Sequence, residues 1–145
     1  MESGQEIRLV VPSRIESLSI MNTVTEEIVD QLGFDEEARN AITISVVEAG
    51  TNAIEHGNGQ DASVPTEISF RREAESLVIL VRDRGSGFDL DSLGDPLAQE
   101  NMFAARGRGV HIIRSFMDEV DYHFATEGTE CRLVKFLPQH ANPSS

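Results

Sequence analysis

The chain has 145 residues, with 12 basic and 25 acidic side chains and a net charge of −13. Its length is that of one domain, and its 39% apolar and 26% charged residues are typical of a globular protein. Thirteen surplus negative charges would repel both a phosphate backbone and an anionic membrane. Composition therefore disfavours nucleic acid and membranes as partners.

The single cysteine and the short apolar runs bear on location. Cys131 has no second cysteine to pair with, so we predict a small core side chain rather than a nucleophile. An oxidising compartment is not indicated. The longest apolar run, residues 77–81, is far shorter than the roughly 20 residues of a membrane-spanning helix. The first residues lack the pattern of a signal peptide, and we expect a cytoplasmic location.

A strand and a helix are predicted first. Residues 7–11 alternate apolar and polar side chains, which indicates a strand that Pro12 ends. Ser13 and Glu16 have the spacing of a capping box. Apolar residues then recur at steps of three and four up to Gly33, as in an amphipathic helix.

The second predicted helix begins at the N-cap residue Asp35 and runs to His56. Apolar side chains cover most of its circumference, so we expect it to be largely buried. A polar stripe at helical spacing interrupts them, formed by Ser45, Glu48, Asn52 and Glu55. Glu48 beside Asn52 fits a general base next to a metal-binding amide. It fits equally a carboxylate that caps a neighbouring element or lies at a gap between helices.

The second half of the chain is predicted to be mostly strands. Residues 67–71 alternate as in a half-exposed strand, and residues 77–81 form the apolar run of a central strand. Residues 84–109 have the composition of a long loop. A short helix over residues 110–116 and two strands, residues 120–124 and 131–137 with a turn at Gly128, follow. This order predicts a two-layer α/β sandwich, with helices on one face of a mostly antiparallel, mixed sheet.

Two glycine-containing segments are candidates for ligand binding. Asp83 follows the apolar strand and begins the segment DRGSG, which contains Gly85 and Gly87. An aspartate at this position can accept a hydrogen bond from an exocyclic amine, and the glycines let a flat ring approach. The alternative interpretation of the segment is a simple tight turn. Gly107 and Gly109 precede the short helix, where backbone N–H groups favour an anion. The alternative there is an ordinary junction between a loop and a helix.

Together these segments resemble a known family of nucleotide-binding proteins. Residues 48–52 (EAGTN), 83–87 (DRGSG) and 107–113 (GRGVHII) resemble the N, G1 and G2 boxes of the ATP-binding fold shared by DNA gyrase, histidine kinases and the mismatch-repair ATPases. Residues 47–57 and 107–120 are similar to the small anti-sigma factor serine kinases of this superfamily. The resemblance extends over residues 6–137. It implies one histidine kinase-like ATPase (Bergerat) domain in residues 1–145.

The resemblance implies a role for each matching residue. Asp83 would accept a hydrogen bond from the adenine amino group, with Gly85 and Gly87 beside the ring and Thr129 near the base. Asn52 would hold Mg²⁺, and Glu48 would be the general base. The phosphates of ATP would be bound by five consecutive residues, which are Arg106, Gly107, Arg108, Gly109 and Val110. Residues 88–106 would be the nucleotide lid.

The function implied is a serine/threonine-protein kinase that phosphorylates a small anti-anti-sigma (STAS-domain) protein and so regulates a sigma factor. The alternative is a non-catalytic switch in which bound nucleotide controls capture or activation of a partner protein. An ATPase that hydrolyses to water is less favoured, because the further domains of such relatives have no room here. A homodimer is implied by the resemblance alone.

The charge is unevenly distributed along the chain. Residues 71–114 contain seven arginines and seven acidic residues, so the whole surplus of thirteen negative charges lies outside this segment. A single nucleotide in a locally neutral segment is therefore compatible with the acidic chain. The acidic residues of the first two helices are either a solvated face or a docking surface for a basic partner protein.

Overall fold

Within the residues that the structure describes, five strands form one sheet and three α-helices accompany it. The computed structural model describes residues 1–85 and 110–138. Helix α1 spans Ser17–Gln31, helix α2 spans Glu36–Thr51, and the described residues 110–116 form helix α3. The strands β1 to β5 are, in order, Glu6–Pro12, Pro65–Arg72, Ser76–Arg82, Glu119–Ala125 and Gly128–Phe136. The predicted order of helices and strands is confirmed.

The strands are arranged in the order β1-β2-β3-β5-β4. All four pairings of these strands are antiparallel. The predicted α/β sandwich with a mostly antiparallel sheet is confirmed, but the expected mixed character is not seen, since no described strand pairs in parallel. Strand β3 is central, as its apolar run predicts.

The core lies between the helices and one face of the sheet. Because side chains alternate along a strand, residues in register share this inner face. One row across the sheet consists of Leu9, Ile68, Val81, Cys131 and Tyr122. Helical side chains complete the same cluster, and they include Met21, Ile28, Ile42, Val46 and Ile113.

Ion pairs cover the opposite, outer face of the sheet. Arg8 Nε lies 3.0 Å from Glu67 Oε1, and Arg82 Nε donates to Glu130 Oε2 at 2.6 Å. The hydrogen bond to Glu130 raises the pKa of Arg82. The aliphatic stems of such side chains shield apolar surface. Val78 is accordingly buried although it points away from the inner face.

The start of helix α1 differs from the prediction. The helix begins at Ser17, and its N-cap residue Glu16 makes no side-chain capping bond. Ser13 is buried, and its hydroxyl instead donates to the carbonyl of Val64. The capping-box prediction is wrong because Ser13 is bonded to a segment distant in sequence.

Helix α2 begins as predicted and ends earlier. Asp35 is its N-cap, and the carboxylate accepts from the Ala38 N–H at 2.8 Å. The chain then continues as a π-helical turn, Asn52–Gly57, rather than as α-helix to His56. The N–H of Asn58 donates to the carbonyl of Ala53, five residues earlier, at 2.8 Å. Such wider turns are frequent at functional sites.

Among the helices that the structure describes, none is long and apolar enough to cross a membrane.

We predict that the inner face of β3 contributes strongly to stability. Ile79 is fully buried, so Ile79→Ala should lower the free energy of unfolding by about 2–5 kcal/mol through lost burial and a residual cavity. Val10, on edge strand β1, is 59% exposed, and Val10→Ala should cost less than about 1 kcal/mol. Urea denaturation measures both, and equal losses would contradict this description of the core.

Candidate functional site

The candidate site lies where the inner face of β3 ends, at Asp83. Asp83 continues the alternation of the strand, and its N–H donates to the carbonyl of Thr129 at 3.0 Å. Its carboxylate oxygen Oδ1 accepts from the Gly85 N–H at 3.0 Å and from the Thr129 N–H at 3.2 Å. The side chain is only 8% exposed. The orientation of this buried carboxylate is therefore set by two backbone amides.

Two glycines let the chain approach Asp83 closely. A Cβ at Gly57 would overlap the carboxylate of Asp83, and a Cβ at Gly85 would overlap the carbonyl of Gly57. Backbone at the end of the π-helical turn therefore packs directly against the turn after β3. Any larger residue at either position would push the two segments apart.

Asn58 connects the same turn to the start of the chain. Its Oδ1 accepts from the Arg84 N–H at 2.8 Å. Its Nδ2 lies within hydrogen-bond distance of Ser13 Oγ, Thr66 Oγ1 and the Pro65 carbonyl, at 3.0, 3.1 and 3.2 Å. Asn58 is 7% exposed. No local pattern in the sequence marks Asn58, because its partners Ser13 and Arg84 lie far away along the chain.

A cavity of about 60 Å³ opens beside Asp83. It lies between α2, the π-helical turn, the start of α3 and the inner face of the sheet. Its walls are mainly apolar, and the residues that line it are Ala49, Asn52, Ala53, Val81, Asp83, Val110, Tyr122, Phe124, Thr129 and Cys131. Four of the predicted site residues meet here, namely Asn52, Asp83, Val110 and Thr129.

The hydroxyl of Thr129 gives the cavity a second polar group. Thr129 Oγ1 is buried and has no hydrogen-bond partner within residues 1–85 and 110–138. A buried hydroxyl without a partner is costly, and a ligand that hydrogen-bonds it removes that cost. A carboxylate acceptor and a hydroxyl between apolar walls suit a flat heteroaromatic ring that carries an amine. The chemical groups present therefore match those of an adenine base.

Aromatic and thiol groups form the wall on β4 and β5. The rings of Tyr122 and Phe124 stack with centroids 5.9 Å apart and an interplanar angle of 8°. Burial raises the pKa of Cys131 to about 12, so this thiol stays protonated at neutral pH. The prediction of a core cysteine is confirmed. The alternation of residues 120–124 predicted a strand, but it did not indicate that Tyr122 and Phe124 line a cavity.

Of the predicted polar stripe on α2, only Asn52 is among the described residues that line the cavity. Ser45 is buried, and its hydroxyl donates to the Ala41 carbonyl at 2.7 Å, so it belongs to the packing of the helix. Glu48 is half-buried on α2, four residues before Asn52, and does not line the cavity. Its carboxylate makes no hydrogen bond with any residue that the structure describes. The catalytic role of Glu48 stays a prediction.

The described residues offer few metal ligands. No group of three or more His, Cys, Asp or Glu side chains within the described ranges could hold a metal ion. The Asn52 side chain supplies an oxygen of the kind that Mg²⁺ prefers. Sparse protein ligation suits a cation whose other ligands are phosphate oxygens and water. Asn52 therefore fits Mg²⁺ that arrives with a nucleotide.

The remaining predicted site residues lie outside the residues that the structure describes. They are Gly87, Arg106, Gly107, Arg108 and Gly109, and the predicted lid, residues 88–106, falls there too. Gly85 is described, and its observed role is to contact the Gly57 carbonyl and to donate to Asp83.

Comparison with known proteins identifies the family of the chain. The family model of the histidine kinase-like ATPase domain matches residues 11–135. The serine-protein kinase RsbW of Bacillus pumilus is 27% identical, over 94% of this chain and 88% of its own length. The RsbW of Bacillus subtilis is 28% identical, over 79% of this chain and 75% of its own.

Solved structures agree on the fold. One contains the RsbU and RsbW domains of a Mycobacterium tuberculosis protein and aligns with a TM-score of 0.68 and 16% identity, covering 91% of this chain. This chain spans only 32% of that protein. The histidine kinase domain of a blue-light activated kinase from Erythrobacter litoralis aligns with a TM-score of 0.55 and 18% identity, over 96% of this chain and 66% of that one.

The match over residues 11–135 and the similarity to RsbW kinases confirm the resemblance to anti-sigma factor kinases, and the chain belongs to the histidine kinase-like ATPase domain family.

Proposed function

We propose that this protein is an ATP-dependent serine/threonine-protein kinase of the anti-sigma type. Its substrate is a small anti-anti-sigma (STAS-domain) protein, and phosphorylation of that protein regulates a sigma factor. The observation that carries the proposal is the buried Asp83 carboxylate, fixed by two amides in a cavity with an unpartnered Thr129 hydroxyl. The relatives named serine-protein kinase RsbW support the reaction type.

Nucleotide binding uses the end of the sheet. Asp83 accepts a hydrogen bond from the adenine amino group and thereby selects adenine over guanine, which carries a carbonyl at that position. Thr129 bonds the ring beside it, and Gly85 donates its N–H to the carboxylate that receives the amine. Gly87 is the glycine assigned to the ring. The phosphates lie toward α3, where Val110 lines the cavity. Arg106, Gly107, Arg108 and Gly109 precede that helix and supply cations and N–H groups.

Phosphoryl transfer uses the end of α2. A serine or threonine hydroxyl of the partner attacks the γ-phosphorus, its oxygen forms the new bond, and the bond to the β-phosphate oxygen breaks to release ADP. Glu48 takes the hydroxyl proton. It lies on α2 one turn before Asn52. Asn52 would hold Mg²⁺, which would supply charge neutralisation on the phosphates.

Further features support the partner and assembly parts of the proposal. Strand β1 is a sheet edge with Ile7 39% and Val10 59% exposed, which suits pairing with a second copy in a homodimer. The acidic surplus disfavours nucleic acid and suits a basic protein partner. We infer one functional domain over residues 1–145 that acts in the cytoplasm.

A second candidate is a non-catalytic, nucleotide-dependent binding switch of the same fold. It is favoured by the position of Glu48, which neither lines the cavity nor hydrogen-bonds with any described residue. In that case bound nucleotide would control partner capture, and no phosphate would reach the partner.

We expect Glu48→Gln to reduce phosphoryl transfer by at least about 100-fold, because a general base contributes about 10²- to 10⁴-fold. Transfer is measured with γ-labelled ATP, Mg²⁺ and purified STAS-domain proteins encoded by the same genome. Glu55→Gln is the matched control, since Glu55 belongs to the same stripe and is also half-buried. Undiminished transfer in Glu48→Gln would exclude the assigned role. Nucleotide-dependent capture without any transfer would favour the switch.

We expect Asp83→Asn to weaken ATP binding at least about tenfold both with Mg²⁺ and with EDTA. The amide oxygen would stay with the Gly85 and Thr129 N–H groups, which leaves an NH2 donor where the adenine amine needs an acceptor. Asn52→Ala should weaken binding only when Mg²⁺ is present. Calorimetry under both conditions measures these affinities. If Asn52→Ala weakened binding equally in EDTA, the assignment of Asn52 to the metal would be wrong.

A further inference from the structure

We propose that Asn58 is a positioning residue for nucleotide recognition, which holds the Asp83 carboxylate in the orientation that binds adenine. This inference rests on the proposed function, because it assumes that Asp83 receives the adenine amine. Asn58 does not line the cavity and would not touch the nucleotide. Its effect must therefore pass through the backbone that it holds.

The contact that matters is the one to Arg84. Asn58 Oδ1 accepts from the Arg84 N–H at 2.8 Å, and Arg84 lies between Asp83 and Gly85. Gly85 in turn donates its N–H to Asp83 Oδ1. Without Asn58 the Arg84 amide loses this partner, and the turn that aims the Gly85 amide at the carboxylate loses its anchor.

The other side of Asn58 is anchored equally well. Its Nδ2 faces Ser13 Oγ and Thr66 Oγ1, and these two hydroxyls lie 2.8 Å apart. All three side chains are buried, with Ser13 and Thr66 fully so. A buried amide with partners on both ends has little freedom to rotate. These contacts therefore fix which end of the Asn58 amide faces Arg84, so that its oxygen meets the Arg84 N–H.

The position of Asn58 depends on the π-helical turn. The residue follows this turn directly, and its own N–H donates to the Ala53 carbonyl. Ala53 lines the cavity. The same asparagine thus bonds to backbone on two sides of the site, once through its main chain and once through its side chain.

The test compares Asn58→Ala with Thr66→Val in the full chain. Thr66→Val removes a hydroxyl from the same buried network but leaves the bond between Asn58 and Arg84, so it controls for a loss of stability alone. The first readout needs no nucleotide. It is amide hydrogen exchange at Gly85 and Thr129, each divided by the exchange at the core residue Ile79.

We expect Asn58→Ala to raise these exchange ratios at least tenfold and Thr66→Val to change them less than threefold. The second readout is adenosine affinity by calorimetry, which should fall at least tenfold in Asn58→Ala and less than threefold in Thr66→Val. Unchanged exchange ratios, or equal affinity losses in the two variants, would overturn the proposal.

Asn58→Asp is the second variant and covers the case in which Asn58→Ala does not fold. It keeps an oxygen that accepts from Arg84 and loses the Nδ2 donors, so exchange at Gly85 and Thr129 should stay within threefold of the wild type. A tenfold rise would overturn the proposal. Failure of the wild-type protein to bind adenosine would instead overturn the proposed function, while exchange would still decide whether Asn58 holds the carboxylate.

Discussion

The close approach of two backbone segments at Asp83 is the constraint on which the candidate site depends. Gly57 and Gly85 have no side chains, and only for that reason can the end of the π-helical turn contact the turn after β3. This approach brings Asn58 to Arg84 and leaves Asp83 Oδ1 bonded to two amides. The π-helical turn, the end of strand β3 and strand β5 thus meet around one carboxylate.

Asp83 also ties the site to the core of the sheet. It has the same parity as Leu77, Ile79 and Val81, so a charged group stands at the end of an apolar row. A buried carboxylate is costly unless it is hydrogen-bonded, and here backbone amides offset that cost. Because those amides belong to the sheet and its turn, the site keeps its shape through the same contacts that stabilise the fold.

Local patterns predicted the parts of the fold that depend on periodicity, and long-range contacts determined the rest. Alternation and apolar runs predicted β3 as the central strand, and Asp35 was identified as an N-cap. Ser13 has a capping-box spacing, but its buried bonds reach Thr66, 53 residues away, and no local rule includes them. The role of Asn58 could likewise not be predicted from local sequence, because its bond to Arg84 spans 26 positions. The π-helical turn has no periodic signal of its own.

In the proposed function, recognition and transfer use different elements, and Asn52 is where they meet. Asp83 and Thr129 belong to the end of the sheet, whereas Glu48 lies on α2 outside the cavity. Asn52 lines the cavity and is also the first residue of the π-helical turn. The change from α to π winding therefore occurs between Glu48, the proposed general base, and the end of the site that is proposed to bind adenine. Since a π turn holds more residues than an α turn, this junction sets how Glu48 is oriented relative to Asp83. The geometry of the proposed reaction then depends on backbone winding at Asn52 as much as on the side chains themselves.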